Sequence, residues 1–418
     1  MEQLPSAAAP AGPRRAAVIF IFITVVLDVL ALGIIVPVLP NLIKEFQSGD
    51  TGRAATMVGL LGSLGALMQF FAAPVLGALS DRFGRRPIIL ISCLGLALDY
   101  VVIALAPNMT WLVVARIVAG ITSASFSTAS AYIADVTPVE KRAASFGMIG
   151  AAFGLGFVAG PALGGLLGNM DLRLPFWIAA GLTFANFLYG MFVLPESLPR
   201  ERRTPRIIWK DANPIGALTM LAKYPGLLAL MVVFLLYSIA HDVMPSTFVL
   251  YGGYRYNWSI ADVGYTLAAI GIATAIVQGG LIRPIIKLLG ERGTLMLGLS
   301  AGAVGFGIYG MAPVGAIFLL AVPVQAVWGV ASPAMQSIMS RAVDPSEQGR
   351  LQGAITSMRG IAGVIGPFLF AGLFRAGIEA NPQVPGAALY LAAGLLVLAT
   401  VLAMRAADRA SRLAASGT

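Results

Sequence analysis

Cysteine and histidine are nearly missing from this 418-residue chain, which has only Cys93 and His241. A single cysteine cannot form an internal disulfide and leaves the redox compartment open. One histidine beside one cysteine rules out a His/Cys zinc site, and no metal site is expected. Charge is also scarce, at 11% of residues, where a soluble chain carries about a quarter. None of the five lysines follows a glycine, so there is no Walker A loop and no evident ATP motor. No catalytic constellation is visible, and an enzyme is not expected.

The chain is rich in apolar length instead. Apolar residues fill 58% of positions and mean hydropathy is +0.85. Runs of about 20 apolar residues recur throughout, each long enough to cross a hydrocarbon core of about 30 Å. Lipid offers the backbone no partners, so the runs should be helices. The expected fold is an all-α membrane protein with spans near 16–42, 55–79, 87–106, 110–134, 143–168, 175–194, 226–250, 261–282, 294–312, 315–339, 353–375 and 386–404.

Orientation follows from charge. Arg14 and Arg15 precede an apolar stretch reaching about Leu42, which is too long for a cleaved signal core and reads as helix one starting in the cytoplasm. Alternate loops then fall on alternate sides. Lys44, Arg53, Arg173, Arg255 and Arg375 lie outside, Arg116 and Arg359 lie within helices, and the other 21 of 28 basic residues lie inside. The net charge of +9 is therefore an orientation signal, and nucleic acid is not an expected partner. The expected organisation is a cytoplasmic tail (1–15), a bundle (16–194), a basic cytoplasmic linker (195–225), a second bundle (226–404) and a second cytoplasmic tail (405–418). Arg200, Arg202, Arg203, Arg206, Lys210 and Lys223 in the linker suit orientation or headgroup contact.

The two bundles echo each other. Gly160-Pro161 recurs as Gly366-Pro367, 206 residues on, and Gly84-Arg85-Arg86 maps at that offset onto Gly290-Glu291-Arg292. Thr137-Pro138-Val139-Glu140 returns as Asp344-Pro345-Ser346-Glu347 with one residue of slippage. A shared offset near half the chain length points to duplication, and parallel six-helix repeats are a transporter architecture.

Several residues carry chemistry at membrane depth, where ionisable groups are rare and usually face a cavity or a partner. Asp28 in helix one and Asp99 in helix three could take up and release protons, or simply bridge helices. Arg116 in helix four could tune such a carboxylate or form a structural ion pair. His241 and Asp242 in helix seven are adjacent, so about 100° apart on a helix, and at most one should face a cavity squarely. Arg359 is expected to begin helix eleven and to snorkel toward the cytoplasm.

The loop expected after helix two reads Gly77-Ala78-Leu79-Ser80-Asp81-Arg82-Phe83-Gly84-Arg85-Arg86. It resembles the hallmark loop of the major facilitator superfamily, G-x-L-x-D-R-x-G-R-R, and that resemblance implies twelve helices in two pseudo-symmetric six-helix bundles. It also implies a cytoplasmic latch of Gly77, Asp81, Arg82, Gly84, Arg85, Arg86 and Asp135. Helix five holds eight glycines between Gly147 and Gly168. Its Gly156, Gly160, Pro161, Gly164 and Gly165 resemble the antiporter motif of the superfamily's exporters.

Residues 20–375 are more specifically similar to the tetracycline/proton antiporters. The likeness is carried by Ala66-Leu67-Met68-Gln69, Leu98-Asp99-Tyr100, Leu194-Pro195-Glu196-Ser197, Pro333-Ala334-Met335-Gln336, Gln348-Gly349-Arg350-Leu351-Gln352-Gly353 and Gly363-Val364-Ile365-Gly366-Pro367. It implies that Asp28, Asp99, Gln69 and Gln278 line the path or couple protons, with Arg116 tied to proton transfer. His241 and Asp242 are expected as further proton-coupling charges, and Gln336 and Thr274 as further substrate contacts. Two positions depart from that family, with Thr274 in place of a helix-eight histidine and Gly302 in place of a helix-nine aspartate. The expected function is proton-coupled efflux of an amphipathic, drug-like molecule, tetracycline-like or multidrug, a metal-chelated drug included. A proton-linked metabolite importer of the same fold is the alternative. No cofactor is expected. The setting is a bacterial inner membrane, with both termini cytoplasmic and a monomer as the working unit.

Overall fold

The computed structural model describes residues 14–123, 125–137, 142–205, 224–344 and 347–416. Among them every regular element is helical. In the first half, α1 comprises Arg14–Ile35 and Leu39–Phe46, α2 is Thr51–Phe83, and α3 is Arg85–Leu105. Next come α4 (Met109–Thr122 and Ser125–Val136), α5 (Arg142–Met170) and α6 (Leu174–Phe192). In the second half, α7 comprises Pro225–His241 and Val243–Tyr256. Then α8 runs through Ile260–Ile276 and a π turn at Val277–Leu281 as far as Gly290, where the helix Ile282–Met311 kinks and α9 begins. The pieces Gly315–Leu320, Val322–Val327, Trp328–Val330 and Ala331–Arg341 make α10, followed by α11 (Gln348–Glu379) and α12 (Ala387–Ser416).

Ten helical stretches are long and apolar enough to cross a membrane. One of them, Ile260–Met311, is two crossings folded at Gly290, and the split α4 supplies the twelfth span. The twelve expected spans are therefore present, and five of them are broken. Proline explains four of the breaks, because it donates no hydrogen bond and its ring clashes with the carbonyl four residues back. Pro245 disrupts α7 at His241, and Pro323 and Pro333 disrupt α10. Pro37 ends the first piece of α1, and Pro284 follows the Gly279-Gly280 pair of the π turn in α8.

Small residues set the packing. On α5, a Cβ at Gly160 would lie 2.6 Å from the Gly33 Cα of α1, and one at Gly165 would lie 3.0 Å from the Gly264 Cα of α8. Glycine here permits backbone-to-backbone contact, which drives helix association in lipid. Across the halves, α2 meets α11: a Cβ at Gly59 would lie 2.7 Å from the Pro367 carbonyl, Ser63 Oγ accepts from the Phe368 N–H (3.2 Å), and Arg375 Nη1 donates to Thr56 Oγ1 (3.2 Å).

These contacts crowd toward the face that bears the turns near 48 and 257. Toward the other face, which carries Gly84 and Gly290, a Cβ on Gly147, Gly150 or Gly154 of α5, or on Gly279 or Gly280 of α8, would meet nothing within 4 Å. Close contacts between the halves thus gather toward the first face, and the second is the parted face in that sense.

Candidate functional site

Two carboxylates lie deep in the first half, in different surroundings. Asp28 on α1 is 7% exposed and accepts from Asn186 Nδ2 of α6 at 2.8 Å, with Cys93 Sγ of α3 at 3.9 Å. The same amide nitrogen also binds the Thr24 carbonyl (3.0 Å), which fixes its direction. Asn186 Oδ1 is buried and has no hydrogen-bond partner among the described residues. Asp99 on α3 is enclosed, and Arg116 Nη2 of α4 donates to its Oδ2 at 2.5 Å. Arg116 therefore pairs with Asp99, and Asp28 is held by an amide. Sequence reasoning missed Asn186, although a lone asparagine in the apolar run of α6 was a visible signal.

On the parted face, the expected loop is mostly helix. Gly77, Asp81 and Arg82 all belong to α2, and only Gly84 leaves the helical region, with φ 108° and ψ 160°. Such a conformation is essentially reserved for glycine. One residue thus turns the chain, and a Cβ at Gly84 would run into the Glu196 carboxylate. Arg85 is the hub: it pairs with Asp81 (2.5 Å) and Asp135 (3.1 Å) and donates to Ser80 Oγ (2.7 Å), while its own N–H donates to Glu196 Oε1 (2.8 Å). Arg86 donates to the Gly190 and Met191 carbonyls at the end of α6, which offsets that helix's unsatisfied terminus. Ser197 Oγ donates to Asp135 (3.1 Å), and the Tyr132 hydroxyl donates to the Pro195 carbonyl (2.9 Å). Arg82 stands apart, over the Phe83 ring at 5.2 Å. The start of the linker, 195–205, is thus tied into this cage, and residues 206–223, with Arg206, Lys210 and Lys223, lie outside the described residues.

The polar side chains expected to meet substrate lie on separate helices. Gln69 of α2 donates to Ser123 Oγ (3.1 Å) at the break in α4. Gln278 of α8, in the π turn, donates to the Gly329 carbonyl (3.5 Å) at the break in α10. Each half thus places a glutamine against a broken helix. Thr274 lies half-buried one turn before Gln278. Gln336 bonds within its own helix, to Ser332 Oγ (3.0 Å). No hydrogen bond among the described residues joins these four.

Two expectations need correction in the second half. His241 and Asp242 do not share one regular helix, because Pro245 breaks α7 between them. The His241 ring faces Trp328 (5.6 Å), and Asp242 packs on Gly366 of α11, its Oδ2 buried with no partner among the described residues. Nor does Arg359 begin α11, since the helix starts at Gln348 and Arg359 lies about three turns inside it, over the Phe234 ring at 5.5 Å. At Gly302 the space is filled: a Cβ would lie 2.6 Å from Trp328 Cδ1, so a carboxylate side chain has no room there.

The sequence matches the Major Facilitator Superfamily over residues 21–367 and 284–415. It is 39% identical to the tetracycline resistance protein, class C, of Escherichia coli, over 90% of this chain and 94% of that one. It is 38% identical to the class G protein of Vibrio anguillarum, over 87% and 91%. Its structure superposes on the human organic anion transporter MFSD10 (TETRAN) with a TM-score of 0.71 and 25% identity, over 94% of this chain and all of that one. These similar proteins are transporters and not enzymes.

Proposed function

The chain belongs to the major facilitator superfamily, and from that premise we propose that it exports an amphipathic, drug-like molecule in exchange for protons by alternating access. The face carrying Gly84 and Gly290 is cytoplasmic in this reading, as the basic loops require. In this reading the halves are closed outside and parted inside, as in an inward-open state. Substrate enters from the cytoplasm, past Gln69 and Gln278, and protons enter after the halves rock over.

The observation that carries the coupling step is the Asp28–Asn186 pair. Ionised Asp28 accepts from the amide N–H, and a protonated Asp28 would find an acceptor in the partnerless Asn186 Oδ1. One asparagine can therefore serve both protonation states. Asp99 is coupled to Arg116 in a different way, because protonating it releases the guanidinium. His241 and Asp242 are secondary charges in the other half. The cage around Arg85 is the latch, with Gly77, Asp81, Arg82, Gly84, Arg86 and Asp135. Gly156, Gly160 and Gly164 pack α5 on α1 within the first half, and Pro161 and Gly165 pack it on α8 of the second, so α5 is a seam along which the halves rock.

The names of the relatives make tetracycline resistance the first phenotype to examine. Transport in everted vesicles tests the coupling: Asp28→Asn is expected to abolish uptake driven by a pH gradient while substrate exchange without a gradient persists. Full gradient-driven uptake by that variant sinks the assignment.

A further inference from the structure

The second half holds an arginine at membrane depth that the transport scheme above does not use. Arg359 is exposed, yet it points inward: its guanidinium sits over Phe234, a fully buried ring of α7. Its neighbours on α11 lie against the other half, with Gly360 meeting Phe70 of α2 and Gly363 meeting Ala66. The side chain therefore projects into the space between the halves and away from lipid. An arginine at this depth normally has a carboxylate partner. Among the described residues none pairs with Arg359. The acid on α7, Asp242, rests on Gly366, seven residues and about 10 Å further along α11.

Beside the guanidinium stands an aromatic wall. Tyr237 lies 5.0 Å from Trp328 and 6.3 Å from Phe234, ring centre to ring centre. His241 adds a third ring 5.6 Å from Trp328, and Phe306 backs the indole at 5.2 Å. Trp328 occupies the space at Gly302, so the wall is aromatic where an acid could have stood. Trp328 Nε1 is buried with no partner among the described residues. A cation without a counter-charge, an unused N–H and flat rings together specify a planar, negatively charged ligand.

We propose that the place where α7, α10 and α11 meet binds the anionic, aromatic part of an organic substrate, with exposed Arg359 supplying the charge contact, exposed His241 the stacking ring, and the largely buried Tyr237 and Trp328 backing it. This rests on the efflux reading and narrows its substrate class to organic anions bearing a carboxylate, sulfonate or enolate on an aromatic frame. A metal-chelated, net-cationic drug would lose the Arg359 contact.

The test compares 2-naphthoate with 2-naphthamide, which share their rings and differ in charge. Calorimetric titration of the full chain in lipid nanodiscs is expected to show saturable naphthoate binding at least ten-fold tighter than naphthamide. Arg359→Gln should remove that preference, and Arg359→Lys should retain part of it, which separates loss of charge from loss of fold. A preference that survives Arg359→Gln, or no saturable naphthoate binding to the wild-type chain, overturns the site. The readout does not involve transport. Gradient-driven export that persists without naphthoate binding removes the site and leaves the efflux reading standing, whereas Arg359-dependent binding without any proton-driven transport does the reverse.

Discussion

The two halves share a backbone plan and differ in what their interiors hold. Gly84 and Gly290 make the same one-residue turn, with φ 108° and 67°, and α4 and α10 break where Gln69 and Gln278 reach across. The chemistry diverges on that scaffold. Deep in the first half sit two carboxylates with polar partners, whereas the second half has Trp328 at Gly302 and a ring wall under Arg359. At the parted face the charges are inverted. Arg85 on α3 pairs with Asp135 on α4, and at the same offset of 206 residues Glu291 on α9 pairs with Arg341 on α10 at 2.7 Å. Duplication kept the turn and the pairing, and sign was free to change. Under the proposed scheme this makes the halves specialised, the first for protons and the second for the organic molecule.

The largest effect should come from breaking the deep charge of the first half. Arg116→Gln leaves the Asp99 carboxylate enclosed without its counter-charge, a loss of about 3–5 kcal/mol for a buried pair. A fall in the unfolding midpoint and at least a hundred-fold loss of gradient-driven transport are expected. Asp99→Asn with Arg116→Gln should regain most of the stability and none of the coupling, because two neutral groups no longer strain the fold but cannot cycle a proton. A single Arg116→Gln variant as stable as the wild type would show that the first half does not depend on this pair.

The inverted latches offer a smaller and sharper contrast. Arg85 is nearly enclosed and serves Ser80, Asp81 and Asp135 together, so exchanging the charges as Arg85→Glu with Asp135→Arg places a glutamate against Asp81. Transport should fall at least ten-fold. The corresponding exchange, Glu291→Arg with Arg341→Glu, should stay within about three-fold of wild type. Arg341 is largely exposed, and such a pair is worth about 0–1 kcal/mol. Equal losses in both exchanges would mean that the two latches bear equal weight. The glycines follow the same order: Gly290→Ala should cost about 1–3 kcal/mol for its backbone conformation alone. Gly84→Ala should cost more, because its Cβ also meets Glu196, whereas nothing stands within 4 Å at Gly290.

Much of this was legible in the sequence. Apolar runs of membrane length gave the twelve spans, and the 206-residue offset gave the halves. What pattern could not give was the place where a helix breaks. Gly77-to-Arg86 read as a loop because it is polar and glycine-rich, yet α2 persists to Phe83 and the turn is a single residue. Arg359 looked like a helix start because the polar stretch 348–358 hides a helical beginning. Partners across the bundle were also invisible. Asn186 and Asp28 are 158 residues apart, and only the packing of α1 on α6 brings them together. Trp328 filling the space at Gly302 is likewise a fact of side-chain volume, which a substitution read along the chain does not reveal.

The smallest expected effect lies on the closed face, where the two halves start corresponding helices with different caps. Asp50 caps α2 with its own carboxylate, which accepts from the Arg53 N–H at 2.9 Å, and Ser259 caps α8 with a hydroxyl that accepts from the Asp262 N–H at 3.2 Å. The backbone N–H of Arg53, with its guanidinium nearby, holds the Asp50 carboxyl below its usual range. A carboxyl depressed in the folded state stabilises above its ordinary value near 3.8, and that contribution is lost as pH falls through the lower folded value. Acid should therefore remove the acceptor that caps the first turn of α2, whereas at α8 it removes only the Asp262 carboxylate that accepts from the Ser259 N–H and Oγ, and the hydroxyl that receives the Asp262 N–H stays in place. Amide exchange, corrected for intrinsic rate, should show protection at Arg53 falling below about pH 4 more than protection at Asp262. In Asp50→Ser, that difference between the two caps should disappear. If it persists, the acid sensitivity comes from elsewhere in the 46–51 turn, and the caps do not distinguish the halves.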